Sequence, residues 1–283
     1  MAHKTNGKPK PFFLFSIDLE DIRFRMKKGT AYKERVPENT YRYLAWLKKH
    51  GFTCTFFTVG DIARAYPSLI KDIVAEGHEL ACHTNTHKAL DTMIKTSFKK
   101  DLHHNIESLL KAGAKTIRGF RAPYFSLTQK TAWAYDVMDE LGLTYSSSVY
   151  PADNPFFGWK AHGHDFNKTP HGIIELPMTV NRFTVKEVAF AGGVYFRNLP
   201  FYVIKKRFKT YFKAEQPVLS YFHPYDIDVD QEQFMHPEIN NSHFYNFLMR
   251  NNRKNVFKRL DALKAETDYT IIPYQRYVEN HLL

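Results

Sequence analysis

Cysteine is scarce in this chain: Cys54 and Cys82 are the only two among 283 residues. This scarcity excludes a disulfide-stapled scaffold and a zinc site built from several cysteines. Both thiols fall in apolar segments, where a free cysteine behaves as a small hydrophobic residue. We therefore interpret them as core residues, with a Cys54–Cys82 pair as the alternative.

Long apolar runs are also missing. No segment approaches the roughly 18 apolar residues that a membrane-spanning helix needs. The basic N-terminus is followed by the short apolar stretch Pro11–Ile17, which Asp18 interrupts, so a signal peptide is not indicated. We expect a soluble, cytoplasmic protein.

Acidic residues are outnumbered, because 29 Asp and Glu stand against 40 Lys and Arg for a net charge of +11. Such a balance favours anionic partners and carries no information about the fold. The basic runs at 205–209 and 250–259 are typical of solvated helix faces. We therefore expect no nucleic-acid partner. A steep salt dependence of DNA or RNA binding would be needed to support one.

Several catalytic signatures are absent. The chain has no His-Glu-x-x-His, no Gly-x-Ser-x-Gly, no phosphate-binding loop and no Gly-x-Gly-x-x-Gly. Metalloproteases of that type, serine hydrolases, nucleotide hydrolases and dinucleotide-binding enzymes therefore lose their support.

What the chain does contain is a regular alternation of apolar segments with helical patterns. Strands are predicted at 12–17, 53–59, 79–82, 116–120, 144–149, 172–176, 217–222 and 269–272. Helices are predicted at 37–49, 61–75 with a restart at Pro67, 97–112, 128–141, 199–212 and 242–265, and a long loop at 151–170. This order predicts a parallel α/β sheet with crossover helices, in one domain over residues 12–283 after a tail at 1–11.

Polar residues cluster directly after four predicted strands. The carboxyl ends of parallel strands share one face, where active sites assemble. The residues concerned are Asp18, Glu20 and Asp21 after the first strand, His83 and His87, Arg121 and Tyr124, and His223. The sequence therefore predicts a site at this face.

The spacing of His83 and His87 allows both imidazoles to reach one metal ion, with a carboxylate as the third ligand. A His₂–carboxylate set leaves positions open for water and substrate. Two carboxylates in different environments can divide the roles of metal ligand and proton acceptor, and Arg121 can keep one ionised. The alternatives are two solvated loop histidines, carboxylates in a solvated turn or helix cap, a surface ion pair at Arg121 and a core histidine at 223.

Six stretches make a family resemblance specific. In order they are FSIDLED (15–21), TFFTVG (55–60), EGHELACHTNTH (76–87), GFRAPYFS (119–126), GGVYFR (192–197) and YFHPYDID (221–228). The sequence resembles the polysaccharide deacetylase family of the NodB-homology, carbohydrate esterase type. It is most similar to the branch associated with exopolysaccharide synthesis, whose first motif is Asp-x-Glu-Asp.

The resemblance implies a fold, a reaction and a set of roles. The fold is a distorted (β/α)₇ barrel, and the reaction is metal-dependent removal of acetyl from an N-acetylated sugar. By position, Asp18 corresponds to the catalytic base, His223 to the general acid, Arg121 to the residue that orients the base, and Tyr124 to the donor of a backbone N–H to the oxyanion. His83 and His87 correspond to metal ligands, with zinc as the default ion and cobalt, nickel or manganese as alternatives.

Two positions depart from the family pattern. Leu19 stands where the carboxylate ligand usually follows the base, so we assign that role to Glu20, with Asp21 as the alternative. Ser146 stands where an aspartate is usual, and Glu175 or Asp226 is the candidate to replace it. We also predict substrate contacts for Arg197, Trp159 and Glu175.

The expected substrate is an N-acetylated glycan or glycan precursor that bears a phosphate and is reached from the cytoplasm. We expect an enzyme peripheral to the inner membrane surface, where each basic residue near an anionic leaflet adds about 1 kcal/mol of attraction. The alternative is a non-catalytic glycan-binding protein on the same barrel. The sequence specifies neither the sugar and its linkage nor the oligomeric state.

Overall fold

A computed structural model describes residues 10–26, 28–154, 156–183, 186–236, 239 and 242–283. Most of the predicted tail, residues 1–9, therefore lies outside the described residues. Within the described part of the chain, no helix is both long enough and apolar enough to cross a membrane.

The described strands are short and mostly parallel. They are β1 Phe13–Leu14, β2 Ser16–Leu19, β3 Thr55–Thr58, β4 Glu79–Cys82, β5 Gly119–Phe120, β6 Tyr145–Ser146, β7 Asn167–Lys168, β8 Ile174–Glu175, β9 Asn181–Phe183, β10 Lys186–Val188 and β11 Val218–Leu219. The main sheet has the order β2-β3-β4-β5-β6-β8-β7, with β7 antiparallel to β8 and every other pair parallel. This is the parallel α/β sheet that the alternation predicts.

The sheet curves back on its first strands. Strand β1 pairs in parallel with β11, and Ile17 of β2 bridges to Phe222 just beyond β11. Phe12 likewise bridges to Thr270. Residues from the two ends of the chain therefore meet in one barrel-like arrangement, which agrees with the distorted (β/α)₇ barrel.

Helices connect the strands, as crossovers between parallel strands require. They are α1 Val36–Lys49, α2 Gly60–Ala65, α3 Pro67–Ala75, α4 Lys95–Lys111, α5 Ala134–Glu140, α6 Gly193–Asn198, α7 Phe201–Lys213, α8 His243–Arg250, α9 Val256–Thr267 and α10 Tyr274–His281. Proline lies in the first turn of α1 and of α3, where its missing N–H costs nothing. The predicted restart at Pro67 is confirmed.

Two predictions near the C-terminus are wrong. The single helix predicted over 242–265 is two helices, α8 and α9, because Asn252 adopts a left-handed conformation with φ of 62° between them. The strand predicted at 269–272 is absent, since Thr270 makes only one bridge, and α10 follows directly.

The core is rich in aromatic rings packed edge to face. Phe13 contacts Phe208 and Tyr269 at centroid distances of 5.0 and 5.2 Å, and Phe15 stacks on Phe222 at 5.0 Å. Such pairs add roughly 0.5–1.5 kcal/mol each beyond the area they bury. The two cysteines are free and buried, as predicted for core thiols.

Candidate active site

Four strand ends bring the predicted polar residues to one edge of the sheet. The register aligns Asp18 with Phe57, Thr58 with Cys82, and Cys82 with Phe120. The residues that follow these positions therefore emerge side by side, and the Ile17–Phe222 bridge places His223 beside Asp18. Asp18, Glu20, His83, His87 and Arg121 are all buried.

Glu20, His83 and His87 form a cluster that could hold a metal ion, with one donor atom from each within 4.8 Å of the others. His83 Nδ1 lies 2.8 Å from the Arg121 carbonyl oxygen, so Nδ1 is the protonated nitrogen and Nε2 keeps its lone pair. A main-chain carbonyl that fixes the tautomer of a histidine ligand is a usual feature of metal sites.

His87 completes this donor set from a strained turn. Its φ is 56°, and Thr84 before it has a φ of 60°, both in the left-handed region that is unfavourable for residues other than glycine. His87 Nε2 contacts Glu20 Oε2, while Nδ1 is buried without a hydrogen-bond partner among the described residues. Two imidazoles and a carboxylate are a donor set that fits a divalent metal ion.

The two candidate carboxylates differ in their surroundings. Asp21 caps the short 3₁₀ turn Ile22–Arg25. It also forms an ion pair with Arg23, whose Nη2 and Nε lie 2.7 and 2.9 Å from Asp21 Oδ2. Glu20 instead lies beside His83 and His87. Burial alone would raise the pKa of Glu20, but Arg25 and His87 outweigh it and hold that pKa well below its ordinary value. The geometry therefore favours Glu20 as the ligand.

Burial depresses the basicity of both histidines. It lowers the pKa of His83, and it lowers that of His87 to about 4, despite the nearby carboxylates. Both imidazoles are therefore neutral near pH 7, which is the protonation state that a metal ligand needs.

Asp18 is held by Arg121, whose Nη1 lies 2.6 Å from Oδ1. The guanidinium is fully buried, lies over the Phe57 ring at 4.0 Å and also donates to Ser16, Ser147 and Tyr274. Because every N–H of the guanidinium is engaged, Arg121 fixes the orientation of the Asp18 carboxylate.

His223 begins a short 3₁₀ turn and is oriented by Asp226. Its Nδ1 lies 3.0 Å from Asp226 Oδ2, and Nε2 points toward Glu20 Oε1 at 3.9 Å. Burial would lower the pKa of His223, but the hydrogen bond and charge of Asp226 raise it above its ordinary value. Asp226, rather than Glu175, thus occupies the position of a partner to this histidine.

Tyr124 stands at the rim of the cluster. It is in the left-handed region with a φ of 58°, inside the 3₁₀ turn Pro123–Phe125. Its ring contacts the His87 ring at 4.9 Å, and the Arg25 guanidinium lies 5.9 Å from its centroid. The role of its backbone N–H as an oxyanion donor stays a prediction.

Two residues with predicted substrate contacts are buried in the structure. Arg197 is wholly buried and donates from Nε to Asp226 Oδ1 at 3.0 Å. Glu175 is also wholly buried, and accepts hydrogen bonds from the backbone N–H groups of Ser148 and Val149 and from the Tyr135 hydroxyl. Both make internal contacts, although Arg197 Nη2 is buried without a hydrogen-bond partner among the described residues, and their contacts with substrate stay predictions.

Trp159 and Ser146 have more limited roles in the structure. Trp159 is partly buried against the main core, and its ring contacts His162 at 5.0 Å, so its contact with substrate stays a prediction. Ser146 donates to the Ser148 hydroxyl, which in turn accepts from the Ala122 N–H.

Three residues of the site were missed from the sequence. Asn105 of α4 accepts from the His83 N–H at 3.0 Å and donates to the Thr58 carbonyl, tying two strand ends together. Tyr274 of α10 bonds Arg121 from 153 positions away. Arg25 lies 2.8 Å from Glu20 Oε2. Only Asn105 left a signal, as a polar residue on an otherwise apolar helix face.

Two family models match the chain in succession. The model described as polysaccharide deacetylase matches residues 29–146, and a domain of unknown function, DUF3473, matches residues 147–275. The first match contains His83, His87 and Arg121 and the second contains His223, whereas Asp18 and Glu20 lie before both.

Curated relatives match over part of their length. A chitooligosaccharide deacetylase from Sinorhizobium fredii is 33% identical over 130 residues, which are 46% of this chain and 57% of that protein. A peptidoglycan-N-acetylglucosamine deacetylase from Bacillus cereus is 25% identical over 119 residues, which are 38% of this chain and 43% of that protein. The chain spans about half the length of the curated relatives it matches.

Solved structures share the fold. A protein from Mycobacterium smegmatis assigned as a polysaccharide deacetylase superposes with a TM-score of 0.65 at 17% identity, over 96% of this chain and 93% of that one. A carbohydrate esterase family 4 pseudoenzyme from Bacillus anthracis gives a TM-score of 0.52 at 14% identity, over 94% and 64%. The fold is thus shared with a pseudoenzyme, so the side chains of the site must carry the functional argument.

Proposed function

Because the chain belongs to the polysaccharide deacetylase family, in the branch that joins a NodB-homology domain to DUF3473, we propose that it hydrolyses the N-acetyl group of a sugar in a glycan or glycan precursor. One observation carries this proposal. The Glu20–His83–His87 cluster, the Asp18–Arg121 pair and the His223–Asp226 pair meet at the same edge of the sheet. A metal-assisted hydrolase needs these three parts.

In the proposed mechanism, each group of this chain has one task. A divalent ion held by Glu20, His83 and His87 would lower the pKa of a water molecule and polarise the acetyl carbonyl. Asp18, oriented by Arg121, accepts a proton from the attacking water. The Tyr124 N–H donates to the developing oxyanion, and His223 donates a proton from Nε2 to the departing amine.

The test is acetate release from N-acetylated sugars, nucleotide sugars and lipid-linked glycans, with and without added metal. We expect release that requires metal and falls by about 10²–10⁴-fold in Asp18→Asn and in His223→Ala. Sugar binding without acetate release under any metal would instead support the non-catalytic glycan-binding alternative.

The metal proposal is zinc, with cobalt, nickel or manganese as substitutes. The nitrogen-rich donor set suits these ions better than magnesium or calcium, which prefer oxygen ligands. Elemental analysis should find one divalent ion per chain, and His83→Ala and His87→Ala should each lose it. Metal retained at full occupancy in both variants would show that these histidines do not bind it.

We further propose that the protein works at an anionic membrane surface in the cytoplasm, on a substrate that bears a phosphate. Helix α8 exposes Phe244, Tyr245 and Phe247, which are 65, 51 and 56% accessible. Aromatic side chains on a short helix favour the membrane interface, and a net charge of +11 favours anionic lipid.

Co-sedimentation with vesicles tests the membrane part. The wild type should bind phosphatidylserine-containing vesicles, bind neutral ones less, and lose affinity in the Phe244→Ala/Phe247→Ala double variant. Ile94→Ala, at an isolated exposed hydrophobic residue elsewhere, is the matched control. Equal and negligible binding to both vesicles would remove the membrane part. Equal turnover of matched neutral and phosphate-bearing glycans would remove the phosphate part.

A further inference from the structure

A buried ion pair lies behind His223 that the mechanism above does not use. Arg197 of α6 and Asp226 are both fully buried, and Arg197 Nε lies 3.0 Å from Asp226 Oδ1. The other oxygen of Asp226 faces His223, at 3.0 Å from Nδ1 and 2.8 Å from the backbone nitrogen. One carboxylate therefore connects a buried cation to the candidate general acid.

The surroundings of Arg197 hold it in one place. Its Nη1 donates to the carbonyls of Leu248 and Asn251 at 3.3 and 2.6 Å. The side chain of Asn252 donates to the backbone carbonyl of Arg197. These partners lie at the end of α8 and in the turn that separates it from α9. The guanidinium is thus anchored by main-chain atoms, and its only charged partner within ion-pair distance among the described residues is Asp226.

Burying such a pair is costly. Taking two charges out of water costs several kcal/mol per ion, and apolar residues of similar volume are often as stable or more so. Stability alone is therefore a weak reason for the pair. A carboxylate that must stay ionised and fixed beside His223 is a better reason, because its charge and orientation set which ring nitrogen holds the proton.

We infer that Arg197 is a positioning residue for His223 and acts through Asp226. The inference rests on the proposed function, in which His223 Nε2 protonates the leaving nitrogen. In that step the C–N bond breaks, its electron pair goes to the amine nitrogen, and the Nε2 proton moves to that nitrogen. The Nδ1–H group stays hydrogen-bonded to Asp226 throughout, so the neutral imidazole that remains has its proton on Nδ1. The device takes the place of the aspartate that the family has where Ser146 stands.

The decisive comparison is between an amide and an activated ester. An N-acetyl sugar needs a proton on its leaving amine, whereas 4-nitrophenyl acetate expels a stable phenolate without one. Arg197→Met should therefore lose about 10- to 100-fold in kcat on the sugar, with KM and metal content unchanged, and keep the esterase rate. Arg197→Lys, which retains a cation for Asp226, should recover part of the loss.

The matched control is Arg259→Met. Arg259 donates to the carbonyls of Phe196 and Leu199, so it anchors the same helix without touching Asp226. If it reproduces the amide-specific loss, Arg197 only secures α6 and the inference is overturned. Where Arg197→Met does not fold, Asp226→Asn decides, and an unchanged ratio of amide to ester rates would count against the inference.

A second readout does not depend on activity. Nitrogen NMR of ¹⁵N-histidine-labelled protein, with the His223 signals identified from His223→Gln, reports the tautomer directly. The wild type should show protonated Nδ1, and Arg197→Met should show a mixture of tautomers. An unchanged tautomer would overturn the inference even in an inactive protein. If Arg197→Met shows the mixture of tautomers but the wild type releases no acetate, the positioning role of Arg197 stands and only the proposed function is rejected.

Discussion

At the scale of single residues, three carboxylates within four positions have three different partners. Asp18 is paired with Arg121, Glu20 faces two histidines, and Asp21 is bound by Arg23 while it caps a turn. Their chemistry follows from these partners and not from their order along the chain. If Glu20 is the metal ligand, as we propose, its side chain supplies from one position further on the carboxylate that Leu19 lacks.

Isosteric amides should separate these roles. Asp18→Asn should keep the metal and lose turnover by about 10²–10⁴-fold, because only the proton acceptor is removed. Glu20→Gln should lose metal affinity by about 10-fold or more. Asp21→Asn should keep both metal and turnover and lose roughly 1 kcal/mol of stability with the weakened cap and ion pair.

Elemental analysis, kinetics and thermal unfolding of the same three preparations distinguish these outcomes. Metal lost in Asp21→Asn and retained in Glu20→Gln would show that Asp21 is the ligand and that the assignment is shifted by one residue.

A pH-dependent prediction concerns His78, away from the site. Its Nδ1 accepts a hydrogen bond from the Cys54 N–H, and burial lowers its pKa to about 4. The unfolded chain, with a pKa near 6.5, binds the proton more readily. Stability from this group is therefore complete above pH ~6.5 and is lost as pH falls toward 4, by on the order of 3 kcal/mol.

His78→Asn keeps a hydrogen-bond acceptor and cannot titrate. Urea unfolding in the presence of a chelator, at several values between pH 8 and 4.5, should therefore show a smaller loss of stability in the variant than in the wild type. Equal losses would mean that His78 is not responsible. His236, whose pKa burial also lowers to about 4, is present in both proteins and cancels in the difference.

The sequence was a good guide to residues that follow strands and a poor one to residues that support them. Asp18, His83, Arg121 and His223 could be predicted because a polar residue directly after an apolar strand has few structural reasons to be there. Arg197 was predicted only as a substrate contact, because an arginine in a helix gives no sign of whether it faces solvent or a buried carboxylate. Only the fold shows which.

At the scale of elements, α6 is the part whose placement the site depends on most. Its sequence begins with Gly192 and Gly193, which predicts a turn rather than a helix, so it was missed. An added Cβ at Gly192 would lie 2.1 Å from the Tyr221 carbonyl oxygen, and Gly193 has a φ of 52°. The close approach lets the start of α6 pack directly on the backbone that leads to His223.

Gly192→Ala should therefore push α6 away from the backbone at Tyr221 and separate Arg197 from Asp226. We expect a loss of several kcal/mol of stability and a low yield of folded protein. Gly142→Ala is the control for backbone strain without a clash, since Gly142 has a φ of 75° and no atoms within 4 Å of the added Cβ, whereas Gly192 is extended. Thermal unfolding of both variants checks this, and comparable shifts would remove the packing argument.

Element boundaries were predicted well where turn chemistry is local and poorly where tertiary contacts decide. The helix predicted from 37 to 49 is observed as Val36–Lys49, because proline and glycine mark its ends. The break between α8 and α9 was missed, since Asn252 is anchored there by its bond to the Arg197 carbonyl, a contact 55 residues away.

At the scale of the whole molecule, the two family matches meet between residues 146 and 147, at the end of strand β6. Strand β6 pairs with β5 on one side and β8 on the other, and β1 pairs with β11. The boundary between the families therefore runs through a continuous sheet. One domain over residues 12–283 stays a prediction, which an unfolding experiment can test.

Unfolding in urea should then be a single transition. Far-ultraviolet circular dichroism and the fluorescence of single-tryptophan variants that retain Trp46 or Trp159, one from each family match, should give the same midpoint. A fragment of residues 1–146 should remain unfolded or aggregate, since it lacks β8 and β11. Two separated transitions, or a soluble and structured fragment, would show two domains instead.

The pairing of β1 and β2 with the strand that leads to His223 also has a consequence for the order of assembly. The Ser16 hydroxyl donates to the Ser220 carbonyl across 204 positions of sequence. All three proposed metal ligands lie within the first 87 residues, whereas the acid comes from residue 223. During synthesis on the ribosome, the ligands emerge long before the segment that completes the barrel. Because the N-terminal part is not expected to fold alone, the three proposed ligands should come together only when that segment completes the barrel, although they are synthesised first.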